Sequence, residues 1–152
     1  MKISEALLRE TIITDLKASD KRGVLEELSE PVAKIAGLGG KELVTVLMER
    51  ERLGSTGIGG GIAIPHGKLK KLDKLILGFG LSRQGIDFDS MDNRPAHLFF
   101  LLVTPENSTL LHLNILAGIT KLLKNDDFKR RLMQISDPDE LLEAVELAEN
   151  EH

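Results

Sequence analysis

Apolar residues along this chain recur at two different spacings, and the change from one to the other lays out the expected elements. Between residues 19 and 37, Val24, Leu25, Leu28, Val32 and Ile35 form a helical stripe, with Ser19 or Asp20 placed to cap it and Gly37 to end it. Pro31 interrupts that stripe and removes a backbone donor, so one straight helix is not guaranteed. A second helix is predicted over "GKELVTVLMERERLG", with Leu43, Val44, Leu47 and Met48 on one side and Gly54 as its stop. The spacing then changes. "STGIGGGIAIPHGK" holds too much glycine for any regular element except a short strand at 62–64, whereas "LILGFGLS" (75–82) and "AHLFFLLVT" (96–104) read as strands. The last of these is nearly all apolar, as expected of a central strand buried on both faces.

"RQGIDFDSMDNRP", between the two long strands, is a turn-rich connection with room for one short strand, and Ile12 and Ile13 mark another near the N-terminus. From residue 109 the helical period returns. "TLLHLNILAGITKLLK" is followed by a short helix near 127–134 and then by "DPDELLEAVELAE", with Asp137 as N-cap, Pro138 at the first helical position and Glu140 in the first turn. Helices before and after a block of strands predict an α+β fold, helices packed on a mixed sheet. No repeat, low-complexity tract or linker divides the chain, so residues 1–152 are expected to form a single domain.

Composition narrows the function more than the fold. Five Phe are the only aromatic residues, and the net charge of −4 comes without a basic stripe, which weighs against nucleic-acid binding. The absence of cysteine removes disulfides, thiolate catalysis and Cys-based zinc sites. "MKISEALLRE" lacks the apolar core of a signal peptide, and the longest apolar run, "LFFLLV", is too short to cross a bilayer. A cytoplasmic protein with no membrane insertion is expected.

The glycine tract comes close to two phosphate-binding motifs and fits neither. A Walker A loop has four residues between its first glycine and Gly-Lys, then Ser or Thr; here five separate Gly61 from Gly67, and Leu69 follows Lys68. In the dinucleotide fingerprint the third glycine would fall on Ile62 or Ile64. No nucleotide or other cofactor is therefore expected. The bare backbone could still approach a ligand closely and offer N–H groups to an anion, or it could be a flexible loop.

Two histidines stand out. His66 follows Pro65 directly, with Thr56 upstream and Lys68, Lys70, Lys71 and Lys74 downstream. An exposed turn residue, a metal ligand, a base and a nucleophile all fit that setting. His112 shares a helical stripe with Ile115, Leu116 and Ile119 and lies near the start of its helix, where the dipole favours neutral imidazole and attracts anions. A core histidine bonded to a carbonyl is the plain alternative. Two histidines 46 residues apart, without HExxH or a third ligand, fall short of catalytic zinc, and no metal is expected. GxSxG is absent, so no serine triad is marked. Nucleophilic catalysis by imidazole fits better, because neutral imidazole attacks phosphorus and the N–P bond stays reactive enough to pass the group on. Arg50, just ahead of the glycine tract, could then supply a planar fork for phosphoryl oxygens.

"ERERLGSTGIGGGIAIPHGKL" strongly resembles the active-site segment of phosphotransferase-system enzyme IIA domains of the fructose/mannitol family, and most of all their nitrogen-regulatory branch. "HLNILAGITKLL" resembles that family's second-histidine helix, and the likeness runs from the helix near residue 20 to that near 148. By position the resemblance implies that His66 is the phosphorylated nucleophile, His112 its partner across the pocket and Arg50 the phosphoryl-stabilising arginine. Thr56, Gly57 and Gly59 would add further donors. It also implies a three-layer α/β/α sandwich around a mixed sheet.

The expected function is that of a phosphocarrier accepting a phosphoryl group from a phosphorylated HPr-like protein and acting on regulatory targets. No transporter, IIB or HPr-like segment is visible, which favours the regulatory branch. A sugar-specific enzyme IIA passing phosphate to a IIB protein, and a IIA-like binding module without phosphotransfer, are the alternatives. Donor, target and oligomeric state are not written in the sequence.

Overall fold

The computed structural model describes residues 1–151; His152 lies outside them. The chain begins with α1 (Ile3–Ala6), β1 (Leu7–Ile13), α2 (Lys21–Ala36) and α3 (Gly40–Arg52). Three short strands follow, β2 (Gly57–Gly59), β3 (Ile62–Ala63) and β4 (His66–Leu69), then two long ones, β5 (Ile76–Ile86) and β6 (Ala96–Pro105). Helices α4 (Thr109–Leu122), α5 (Asp126–Leu132) and α6 (Pro138–Glu151) complete the described residues.

The six strands form one mixed sheet in the order β1-β5-β6-β3-β2, with β4 also on β6. β5 and β6 are antiparallel, while β1 on β5 and β3 and β4 on β6 are parallel. Side chains along β6 alternate between two cores, as the pleat requires. Leu98, Phe100 and Leu102 pack with Leu77, Phe79 and the inward faces of α4, α5 and α6. Phe99, Leu101 and Val103 pack with Leu25, Leu28, Leu43 and Leu47 of α2 and α3. The result is the three-layer α/β/α arrangement. Burial on both faces is why the sequence of β6 is continuously apolar.

Several local features follow the sequence reading closely. Asp20 caps α2 by accepting from the Gly23 N–H at 2.7 Å, and Gly37 ends it in the left-handed region at φ 72°. Pro31 lies inside an uninterrupted α2, where burial of Leu28 and Val32 on either side of it offsets the missing hydrogen bond. Asp137 accepts from the Glu140 N–H at 3.0 Å at the start of α6.

Three features differ. The connection after β5 contains no separate strand; β5 itself runs on to Ile86, with register shifting between Leu81 and Ile86. A short α1 precedes β1, its first amides held by the Glu149 carboxylate of α6 at 2.6 and 2.9 Å. The glycine-rich segment forms three strands rather than one. β3 and β4 keep a common register on β6, with Ile62 opposite Leu98 and His66 opposite Leu102. They are in effect one parallel strand whose ladder is broken at Pro65, which has no N–H to donate.

Candidate functional site

That shared register decides where His66 points. It stands opposite Leu102, whose side chain belongs to the α4 face of the sheet, so the imidazole is directed toward α4. Two residues further along β6, Thr104 lies on the same face and its hydroxyl meets Nδ1 of His112 at 2.8 Å. His112 occupies the first turn of α4, its amide bonded to the Ser108 carbonyl at 3.0 Å, and is only 4% exposed. The partner of this inward-facing histidine is thus a hydroxyl rather than a backbone carbonyl. The two imidazoles face each other with ring centroids 5.3 Å apart.

The tautomer of His66 follows from its contacts. Nδ1 lies 2.8 Å from the Ile64 carbonyl oxygen, which can only accept, so the neutral ring carries its proton on Nδ1. The lone pair is therefore on Nε2, and the Nε–H of Arg50 donates to it at 3.3 Å. Arg50 reaches this point from the last turn of α3, across the sheet edge, and its Nη1 donates to the Gly54 carbonyl at 2.8 Å. Gly54 has φ 145°, a conformation open to glycine and strained for other residues. Gly67 serves packing instead. A Cβ there would lie 2.8 Å from Val46 Cγ1, so the bare backbone lets α3 close on β4 and brings Arg50 within reach.

Electrostatics keep both rings neutral. Burial lowers the pKa of His66, and Arg50 and Lys68 add to that effect, opposed by the Ile64 hydrogen bond and the Glu51 carboxylate. His112 is pushed down to about 4, first by burial and then by repulsion from charge on His66 and Lys68. Lys68 itself is tethered to the Thr109 hydroxyl at 3.1 Å. Around these groups lies an open cavity of about 520 Å³, lined by Arg50, His66, Gly67, Lys68 and His112 and rimmed by Val46, Glu49, Leu53, Leu113 and Leu116. The arrangement can present an imidazole lone pair to an incoming electrophile, with cationic groups on two sides.

Thr56, Gly57 and Gly59 are not part of this lining. The buried Thr56 directs its hydroxyl onto the Glu51 carboxylate, and Gly57 and Gly59 form β2, paired with β3. In this structure the Thr56 and Gly57 amides and the Thr56 hydroxyl are used in holding the segment. Two other contributors went unnoticed in the sequence. Glu51 continues the stripe of Val44 and Leu47 at helical spacing, and Thr104 continues the alternation of Leu98, Phe100 and Leu102; both signals were available. Among the described residues no cluster of three or more His, Asp or Glu is arranged to hold a metal ion.

The family model described as "Phosphoenolpyruvate-dependent sugar phosphotransferase system, EIIA 2" matches residues 5–147. The chain belongs to this family. Among its relatives is a nitrogen regulatory protein of Bradyrhizobium diazoefficiens, 41% identical over 132 residues, covering 87% of this chain and 86% of that protein. Nitrogen regulatory protein IIA-Ntr from Neisseria meningitidis has the same fold, with TM-score 0.90 and 31% identity over 94% of this chain and 98% of its own. The mannitol enzyme IIA of Escherichia coli, solved in complex with phosphorylated enzyme IIB, aligns at TM-score 0.77 and 26% identity, covering 90% of this chain and 94% of that one. This enzyme IIA is thus most like the nitrogen-regulatory branch. Among its described residues no helix is long and apolar enough to cross a membrane.

Proposed function

We propose that this enzyme IIA is a phosphocarrier whose acceptor atom is Nε2 of His66. The observation that carries the reading is the pairing of a carbonyl on Nδ1 with an arginine beside Nε2. A phosphorylated HPr-like protein is the donor. The Nε2 lone pair attacks phosphorus, the donor's N–P bond breaks, and its electron pair returns to the donor imidazole. His66 keeps its Nδ1 proton throughout, and the Ile64 carbonyl stabilises the positive charge that develops on the ring. Arg50 turns from the lone pair to the phosphoryl oxygens, where its planar fork matches two of them. His112, neutral and buried, lines the opposite side and leaves room for the incoming group.

The product state is the signal. A phosphoryl group brings about −1.5 to −2 charge by the general rule for phosphorylated side chains, into a pocket lined by the cations Arg50 and Lys68 and by the carboxylate of Glu49. Regulatory targets would read that change of surface charge without a change of fold. The nitrogen-regulatory relatives favour this role. Passage of phosphate to a IIB protein is the second reading, favoured by the complex of the mannitol relative with phosphorylated IIB.

Incubation with phosphoenolpyruvate and the general phosphotransferase proteins tests it, read by intact-mass and peptide mass spectrometry. One acid-labile phosphoryl group is expected on His66, and His66→Ala should abolish it while leaving the melting temperature nearly unchanged. Label that survives His66→Ala, or that maps to a serine, would overturn the assignment. Addition of candidate IIB proteins then separates carriage into transport from regulation.

A further inference from the structure

Behind the pocket lies a buried carboxylate that the phosphocarrier reading leaves unused. Glu51 is next to Arg50 on α3, and its side chain is 3% exposed. Oε1 accepts from the Thr56 N–H at 3.1 Å and pairs with Lys21 Nζ at 3.0 Å, while Oε2 accepts from the Thr56 hydroxyl. Lys21 is itself held, lying 4.7 Å over the Phe88 ring, with its own side chain 18% exposed. An ion pair so buried, with a donor on each carboxylate oxygen, is costly to assemble and specifies one local geometry.

The chain of bonds does not stop at Thr56. The Thr56 carbonyl accepts from the Ile64 N–H at 3.0 Å, and the Ile64 carbonyl accepts from Nδ1 of His66 at 2.8 Å. Glu51 is thereby linked through two residues to the proton that decides which nitrogen of His66 is free. The segment between Thr56 and Ile64 contains four glycines and has little stiffness of its own, so this clamp supplies what the local sequence lacks.

We propose that Glu51 is a positioning residue for the acceptor imidazole, fixing the Nδ1–H tautomer of His66 through Thr56 and Ile64. The inference rests on the phosphocarrier reading for its consequence, though the tautomer itself is a property of the unphosphorylated protein. Loss of the clamp would let the Ile64 carbonyl drift, allow the proton to move to Nε2, and remove the lone pair from the attacking position. A small misplacement of a reacting group lowers transfer by roughly 10- to 100-fold.

The test uses the full chain and nitrogen-15 NMR of His66, which distinguishes the two tautomers, beside the rate of phosphorylation. Glu51→Gln, which keeps shape and removes charge, should lower the Nδ1–H fraction and slow phosphorylation. Thr56→Val, which removes one hydroxyl, should do the same to a smaller degree, and Thr56→Ser should restore both. The Thr56 pair serves even where Glu51→Gln fails to fold. The His66 titration supplies a third readout: Arg50 and Glu51 on α3, Lys68 on β4 and His112 on α4 are the charged and titratable groups about it. Removal of the Glu51 charge should move its midpoint further down. Folded variants with unaltered tautomer populations would overturn the proposal. Failure of the wild-type protein to label at His66 would count against the phosphocarrier reading, while the NMR result still decides the positioning role.

Discussion

The rings of His66 and His112 meet edge to face, their planes at 65° and their centroids 5.3 Å apart. One comes from the free edge of the sheet and the other from the first turn of α4. Neither ring gains a carboxylate partner, so charge on either is opposed by burial and by the cations nearby. The pair is built to stay neutral, which is the nucleophilic state of imidazole.

That relationship sets a pH dependence of stability. The pKa of His112 falls from the ordinary 6.5 to about 4 in the folded protein. Between those values the unfolded chain binds a proton that the native state refuses, so stability is full above about pH 6.5 and is lost as pH falls toward 4. The loss from His112 should reach roughly 2–3 kcal/mol at the acid end. Urea denaturation at pH 7, 6, 5 and 4 measures it, and His112→Asn should flatten the slope.

Arg50→Lys keeps the charge but cannot reproduce the two directed bonds, one to Nε2 of His66 and one to the Gly54 carbonyl. Phosphorylation of His66 should slow by about 100-fold, the lower end of the range for loss of an oriented donor at a developing charge. Stopped-time labelling with purified donor gives the rate. A variant as fast as the wild type would leave Arg50 without a role in transfer.

Gly67→Ala places a methyl group 2.8 Å from Val46 Cγ1. Overpacking should cost about 1–3 kcal/mol and separate α3 from β4. Val46→Ala in the same chain makes room and should restore most of the stability. Thermal melts of the single and double variants check the pairing, and the transfer rate should recover with them, because α3 carries Arg50.

Leu53 and Leu113 stand on the rim of the pocket at 85% and 54% exposure. Under the proposed phosphocarrier role, exposed leucines beside the pocket suit docking of the donor protein. Leu53→Asp and Leu113→Asp should raise KM for the phosphorylated donor severalfold, change kcat little and leave the melting temperature in place. Steady-state phosphorylation against donor concentration separates the two effects.

Much of the frame was legible because period and chemistry agree. The helices showed their inward stripes, and β6 showed the unbroken apolar run that burial on two faces demands. Of the strands in the glycine segment only β3 was legible; β2 and β4 were not, since they are stabilised by pairing with partners rather than by local preference. Thr56 illustrates the same limit at the site. Its position beside the glycines suggested a ligand donor, yet the fold turns it onto Glu51.

The sequence by itself determined the residue types: an imidazole after proline, an arginine at a helix end, a second imidazole on an inward stripe, and the family segment that contains the first two. Those are matters of order and spacing along one chain. Which nitrogen of His66 is free was decided only by tertiary structure, because it depends on a carbonyl held by Thr56 and on an arginine arriving from the opposite face of the sheet. Hydrogen bonds have direction, and direction in space is set by packing: β4 in register with β6, and α3 closed over Gly67.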